Sequence, residues 1–220
     1  MKTSVVQPTN IGLAIAIGGP ALLVSPAHSI LGDAQALQTR LLDQLILWGL
    51  FGAIIGLVVF WERRPLVSIG WHGLRRSSFA WGFALCAFYM WVLGPLEARM
   101  LQHFELGGFD KGLTQLVGLP PWFLVFAAIT AGVVEETLFR GYALERLGEL
   151  TGSYTLAGIG TLAVFALMHF PIWGWGPVIA FFVGGAVPTA FYVWRHDVLA
   201  LIVAHALTDT TGLLLLTPTA

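Results

Sequence analysis

The sequence predicts an all-α fold, a polytopic bundle of six to seven transmembrane helices, on three observations. Of the 220 residues, 57% are hydrophobic and only 10% are charged, with a mean hydropathy of +0.80. A soluble domain carries about 25% charged residues, so this chain cannot cover a water-facing surface. Apolar runs recur at roughly the 17–25 residues that a helix needs to cross a bilayer. Gly (26) and Trp (9) are abundant, as suits close helix packing and interfacial anchoring. The net charge of -1 excludes a global basic field for nucleic acid. The single Cys86 excludes an internal disulfide framework or a cysteine metal cluster. No stretch is polar or repetitive enough to form a separate soluble unit, so one membrane domain is expected.

The elements follow in order. The run Ile11–Val24 is short and holds Gly18, Gly19 and Pro20. It fits a short first span, a re-entrant piece or a signal-like segment; with only Lys2 ahead of it and no clean cleavage pattern, a span is favoured over a signal peptide. Leu41–Trp61, Ser78–Pro95, Pro177–Trp194 and Val198–Leu216 are plain spans. Pro121 to about Leu150 and Gly152 to about Gly176 are spans that carry polar residues. The mixed-charge stretch Leu96–Leu119 is expected to lie on the outer interface. Gly52-x-x-x-Gly56 is expected to make a helix-packing contact, and Pro188 to kink its helix. Trp173, Trp175 and Trp194 are expected to form an interfacial belt.

Arg63, Arg64, Arg75 and Arg76 share one loop, and alternate counting places Arg146, Arg195 and Lys2 on the same side. The other side receives only Arg40, Arg99 and Lys111. That asymmetry predicts a cytoplasmic location for the arginine-rich loop.

Most charges sit in the predicted loops. The exceptions are Glu135, Glu136, Arg140, His169, His205 and Asp209, on three helices. Each is costly inside a bilayer, and an intramembrane ionisable group is by default a functional candidate. Glu136 and Arg140 are four apart, so they can pair on one helix face. Glu135 is turned about 100° away and free to meet another helix. Phe165 lies one turn before His169, and His205 and Asp209 repeat the four-residue spacing beside Thr208, Thr210 and Thr211. At 1.5 Å per residue Glu135 lies about 8 Å inside Arg140, and His205 about 12 Å beyond the Arg195–Asp197 turn. His169 reaches that level only if a helical hairpin, roughly 140–160, protrudes from the membrane.

A carboxylate and two histidines in such a pocket make a hydrolytic site. Glu135 can take a proton from water that His169 helps to hold, while His205 and Asp209 face the oxygen that becomes negative. Asp209 donates directly only if protonated, and otherwise orients His205. Glu135, His169 and His205 are equally a two-histidine, one-carboxylate ligand set for a divalent metal such as zinc. Spacing does not choose between these. HExxH and GxSxG signatures are absent, and the nearest approach to Gly-x-Gly-Asp, Gly107–Asp110, lies in a predicted loop.

These residues resemble a known family. Glu135-Glu136-Thr-Leu-Phe-Arg140 looks like the EExxxR motif of the CPBP (ABI) intramembrane proteases, relatives of the type II CAAX prenyl endopeptidase. Phe165-x-x-x-His169 looks like its FxxxH motif, and His205-x-x-x-Asp209 its HxxxN/D motif. The resemblance divides the single membrane domain into N-terminal helices with an interfacial loop (1–120) and a CPBP-like catalytic core (121–216). It implies an intramembrane endopeptidase cutting near the cytoplasmic face. Glu135, His169, His205 and Asp209 would be catalytic, and Glu136, Arg140 and Phe165 would shape the site. Its partners would be membrane lipids and a peptide or membrane-protein substrate. The prenyl endopeptidases carry Asn where this chain has Asp209, which counts against prenylated substrates. Members are often called metalloproteases, although a glutamate and water suffice for the chemistry. Short loops suggest, by analogy, a prokaryotic inner membrane. The rival readings are a non-catalytic membrane scaffold and a proton-coupled transporter; the latter often shows internal repeats, which this sequence lacks.

Overall fold

The computed structural model describes residues 3–22 and 36–216. Among these residues every regular element is helical. Helix α1 is Thr3–Leu13, continued by a wide turn, Ala14–Gly18. Then follow α2 (Leu37–Trp61), α3 (Arg76–His103), α4 (Pro121–Thr151), α5 (Tyr154–Trp173), α6 (Trp175–Arg195) and α7 (Val198–Leu216). Helices α2 to α7 are each long and apolar enough to cross a membrane. The protein is therefore an integral membrane helix bundle. The expected first span falls on the extension of α1, where Ala16 and Gly19 pack against Leu50 of α2; Val24 lies outside the described residues.

Helix α4 is the most enclosed and α3 the least. Around α4 pack α2, α5 and α7. Small residues bring α7 in. A Cβ at Gly132 of α4 would come within 3.0 Å of Ile202 and Ala206, and one at Gly82 of α3 would press on Val203 and the Ala200 carbonyl. With lipid offering no hydrophobic drive between helices, such close backbone approach is what holds them together.

Several expectations need correction. Helix α3 does not stop at Pro95 but runs to His103, so the first part of the stretch expected at the interface is helix continuous with the span. A proline removes a hydrogen bond and crowds the preceding turn. Here the backbone has already widened into π-helical turns over Tyr89–Leu93, which relieves that crowding. Gly52 and Gly56 make no packing contact among the described residues, with nothing within 4 Å of a Cβ at either. Trp173 is turned inward against Gly112 and Phe109, whereas Trp175 and Trp194 are exposed.

The arginine asymmetry is realised as two distinct ends. At one, Arg64 pairs with Glu149 at 2.7 Å, the His72 ring meets the His196 carbonyl at 2.8 Å, and Val198 N–H bonds the Gly70 carbonyl. At the other, Arg40 reaches Gln115 and Lys111 donates to the Pro171 carbonyl. Arg146 and Glu145, expected in water, are instead buried, Arg146 completely. The 62–75 loop folds back over the end of α4 and shields Arg146, while Glu145 meets Tyr192 and His196. Arg146 there bonds both Glu62 oxygens, the Ser68 carbonyl and the Ser68 hydroxyl. Arg40, Asp43 and Glu97, predicted outside the buried apolar runs or unremarked, are buried as well.

Candidate active site

All seven residues singled out by their spacing line one cavity. Glu135, Glu136 and Arg140 come from α4, Phe165 and His169 from α5, and His205 and Asp209 from α7. The cavity holds about 340 Å³, and apolar side chains of α3, α4 and α6 form most of its wall.

Local structure sets the aim of each group. From Glu136 to Leu144 the backbone of α4 forms π-helical turns, and every residue in them is buried. Such widened turns are rare and concentrate at functional sites. The Arg140 guanidinium donates to Glu136 Oε1 at 3.0 Å, as the four-residue spacing predicts, and lies 4.3 Å over the Phe165 ring. The same Glu136 oxygen meets His205 Nδ1 at 2.8 Å. Glu136 Oε2 is buried without a hydrogen-bond partner among the described residues. On the other side of its ring, His205 Nε2 lies 3.3 Å from Asp209 Oδ2.

His169 sits at a break within α5, between the long helical part Tyr154–Met168 and the short turn of helix Phe170–Trp173. Its Nδ1 donates to the Phe165 carbonyl at 2.7 Å, which leaves Nε2 as the acceptor nitrogen. The ring is held between Phe165 and Phe181, each 4.8 Å away. Glu135 behaves differently from its neighbour. It lies within electrostatic reach of His169, His205, Asp209 and Glu136, and no hydrogen bond to a described residue ties its carboxylate down.

Among the described residues no three His, Cys, Asp or Glu side chains are arranged to hold a metal ion. The physical reason lies in His205, whose two ring nitrogens both face carboxylates and so offer no lone pair directed at a shared point with Glu135 and His169.

Sequence reasoning missed Tyr89 and Glu97. Tyr89 lines the cavity, and its hydroxyl donates to Glu97 Oε2 at 2.8 Å. Pro95 made Glu97 look like a loop residue, so the burial of this carboxylate carried no local signal. Gln44 of α2 also reaches the cavity.

The bundle is that of an integral membrane protein, and its cavity gathers ionisable side chains from three helices. Residues 117–211, which carry all three motifs, match the family model described as Rce1-like, type II CAAX prenyl endopeptidase. The resemblance read from the motifs is thereby shown over somewhat less than half the chain, and it supports a CAAX-type intramembrane protease in general terms. No curated protein and no solved structure matches the chain.

Proposed function

We propose that the protein is an intramembrane endopeptidase in which Glu135 and His169 activate water without a resident metal. The observation that carries this reading is the contrast between the two adjacent glutamates. Glu136 is tied to Arg140 and His205, while Glu135 faces the same cavity untethered. A general base must be free to take a proton from its water.

In this scheme a water sits between Glu135 and His169 Nε2. Glu135 removes its proton as the oxygen attacks the scissile carbonyl. His205 presents a ring N–H to the carbonyl oxygen, which becomes negative. Its contact with Asp209, at 3.3 Å, is longer than the 2.8 Å contact with Glu136, so the Asp209 side is where a carbonyl oxygen enters. Asp209 orients the ring, and Glu136 with Arg140 fixes it from behind. Preorganised donors of this kind are usually the largest single contribution to acyl transfer. The proton taken by Glu135 then passes to the leaving amine.

Helix α4 spans 31 residues, or about 46 Å at 1.5 Å per residue, against roughly 30 Å of hydrocarbon. We take its excess to project at the arginine-rich end, with the hairpin turn at Gly152–Ser153 outside the membrane. That places Glu135 in the leaflet nearer that end, the cytoplasmic one by the positive-inside rule.

Wild type and Glu135→Gln, purified in detergent, are to be compared on a mixed library of membrane-protein peptides, with products read by mass spectrometry. Cleavage by wild type alone, unchanged by a chelator, is the expected result. Equal cleavage by the variant would remove Glu135 from the mechanism, and loss of activity in chelator would restore a metal.

A further inference from the structure

Outside the motif residues, one polar pair stands on a helix that carries none of them, and one of its two members reaches the cavity. Tyr89 lies in the widened turn of α3 and lines the cavity, within electrostatic reach of Asp209. Glu97, two turns further along, holds its hydroxyl at 2.8 Å. This carboxylate is only 4% exposed, and its Oε1 has no hydrogen-bond partner among the described residues. A Cβ at Gly184 of α6 would overlap that oxygen. Both helices are thus shaped around a carboxylate whose burial is costly and which a leucine would replace at no cost to packing.

What the pair offers is a fixed acceptor. A phenol has one proton and two lone pairs. With its proton committed to Glu97, the Tyr89 oxygen presents only lone pairs to the cavity. A peptide bond can be hydrolysed only where the substrate backbone is unwound, and an unwound backbone carries N–H groups with no partner. In an apolar cavity such a donor left unpaired is costly.

We propose that Tyr89 is a substrate-binding residue that accepts a backbone N–H of an unwound substrate segment in the cavity, and that Glu97 is the positioning residue that fixes its hydroxyl. The inference rests on the protease reading and adds to it the strand-like polar recognition of the substrate backbone.

The test uses one library peptide that wild type cleaves, and a set of analogues in which each backbone N–H in turn becomes an ester oxygen. Tyr89→Phe should raise KM about tenfold with kcat nearly unchanged and an unchanged melting temperature. One ester analogue should show the same loss with wild type and no further loss with Tyr89→Phe, a coupling that a merely structural tyrosine would not give. Glu97→Gln should give a smaller rise in KM at the same analogue, and it carries the ester test should Tyr89→Phe fail to fold. Unchanged KM, or losses that simply add at every analogue, would overturn the inference while leaving the protease intact. A wild type that cuts nothing in the library would overturn both.

Discussion

Two clusters of buried charge lie along α4, and they are built to opposite ends. Around Arg146 every arm of the guanidinium is engaged, by Glu62, Ser68 and Glu149, and Tyr142 adds a hydrogen bond to Glu62 at 2.8 Å. Around the cavity the same kinds of group are left incomplete. Glu136 keeps one bare oxygen, Glu135 is untethered, and His169 presents Nε2. A saturated network fixes the 62–75 loop to the bundle. An unsaturated one retains hydrogen-bonding capacity for a ligand from outside the chain. Burial of charge alone therefore does not single out a candidate site; incomplete pairing of buried charge around a cavity does.

Four substitutions sharpen that contrast. Glu135→Gln should lower turnover by about a thousandfold or more while leaving the unfolding midpoint in detergent at or above that of wild type; a large drop in stability would place Glu135 with the structural cluster. Arg146→Leu should do the reverse. It strands the buried Glu62 carboxylate and should cost about 3–5 kcal/mol in unfolding free energy, with activity per folded molecule retained. Asp209→Asn tests the middle ground. If Asp209 orients His205, losing its charge should lower kcat about ten- to a hundredfold, whereas a gain in rate would mean that the site wants a direct amide donor there.

The smallest effect concerns His196, at the arginine-rich end and outside the spans. Its hydrogen bond to Glu145, 2.6 Å long, raises its pKa above the ordinary 6.5 against some desolvation. A raised folded-state value means that the stabilisation is fully present below pH 6.5 and fades as pH rises through the folded pKa. The side chain is 38% exposed, so solvent screening should hold the effect under about 1 kcal/mol. Unfolding midpoints of wild type should decline slightly from pH 6 to pH 8, and those of His196→Gln should not; equal slopes would show that another group titrates.

Much of this was legible in the sequence because the bilayer is a harsh solvent. A charge inside a span is expensive enough to stand out, and so Glu135, Glu136, Arg140, His169, His205 and Asp209 could be singled out by position alone, and the structure gathers them. The spans were legible for the same reason. What could not be read was where the backbone departs from an ordinary helix. Pro95 looked like an end because nothing in the letters announces the widened turn at Tyr89–Leu93, and Glu97 was lost with it. Arg146 looked solvated because its cover is a loop distant in sequence. Gly52 and Gly56 looked like a packing seam, but small residues show only that close approach is allowed, not that a neighbour is there.

The π-helical stretch of α4, Glu136–Leu144, sits between those two clusters. A widened turn holds one residue more than the α-helical turn it replaces, so the segment acts as a spacer that sets the phase between the glutamates and Arg146. Winding these residues as ordinary helix with none removed would turn everything beyond by about 100°. Arg146 would then face away from Glu62 while Glu135 stayed in the cavity. A single-codon deletion within the segment would let the backbone relax to the ordinary helix with both ends still in phase, so along this helix the widened backbone absorbs one extra residue and keeps the cavity end and the anchoring end in register.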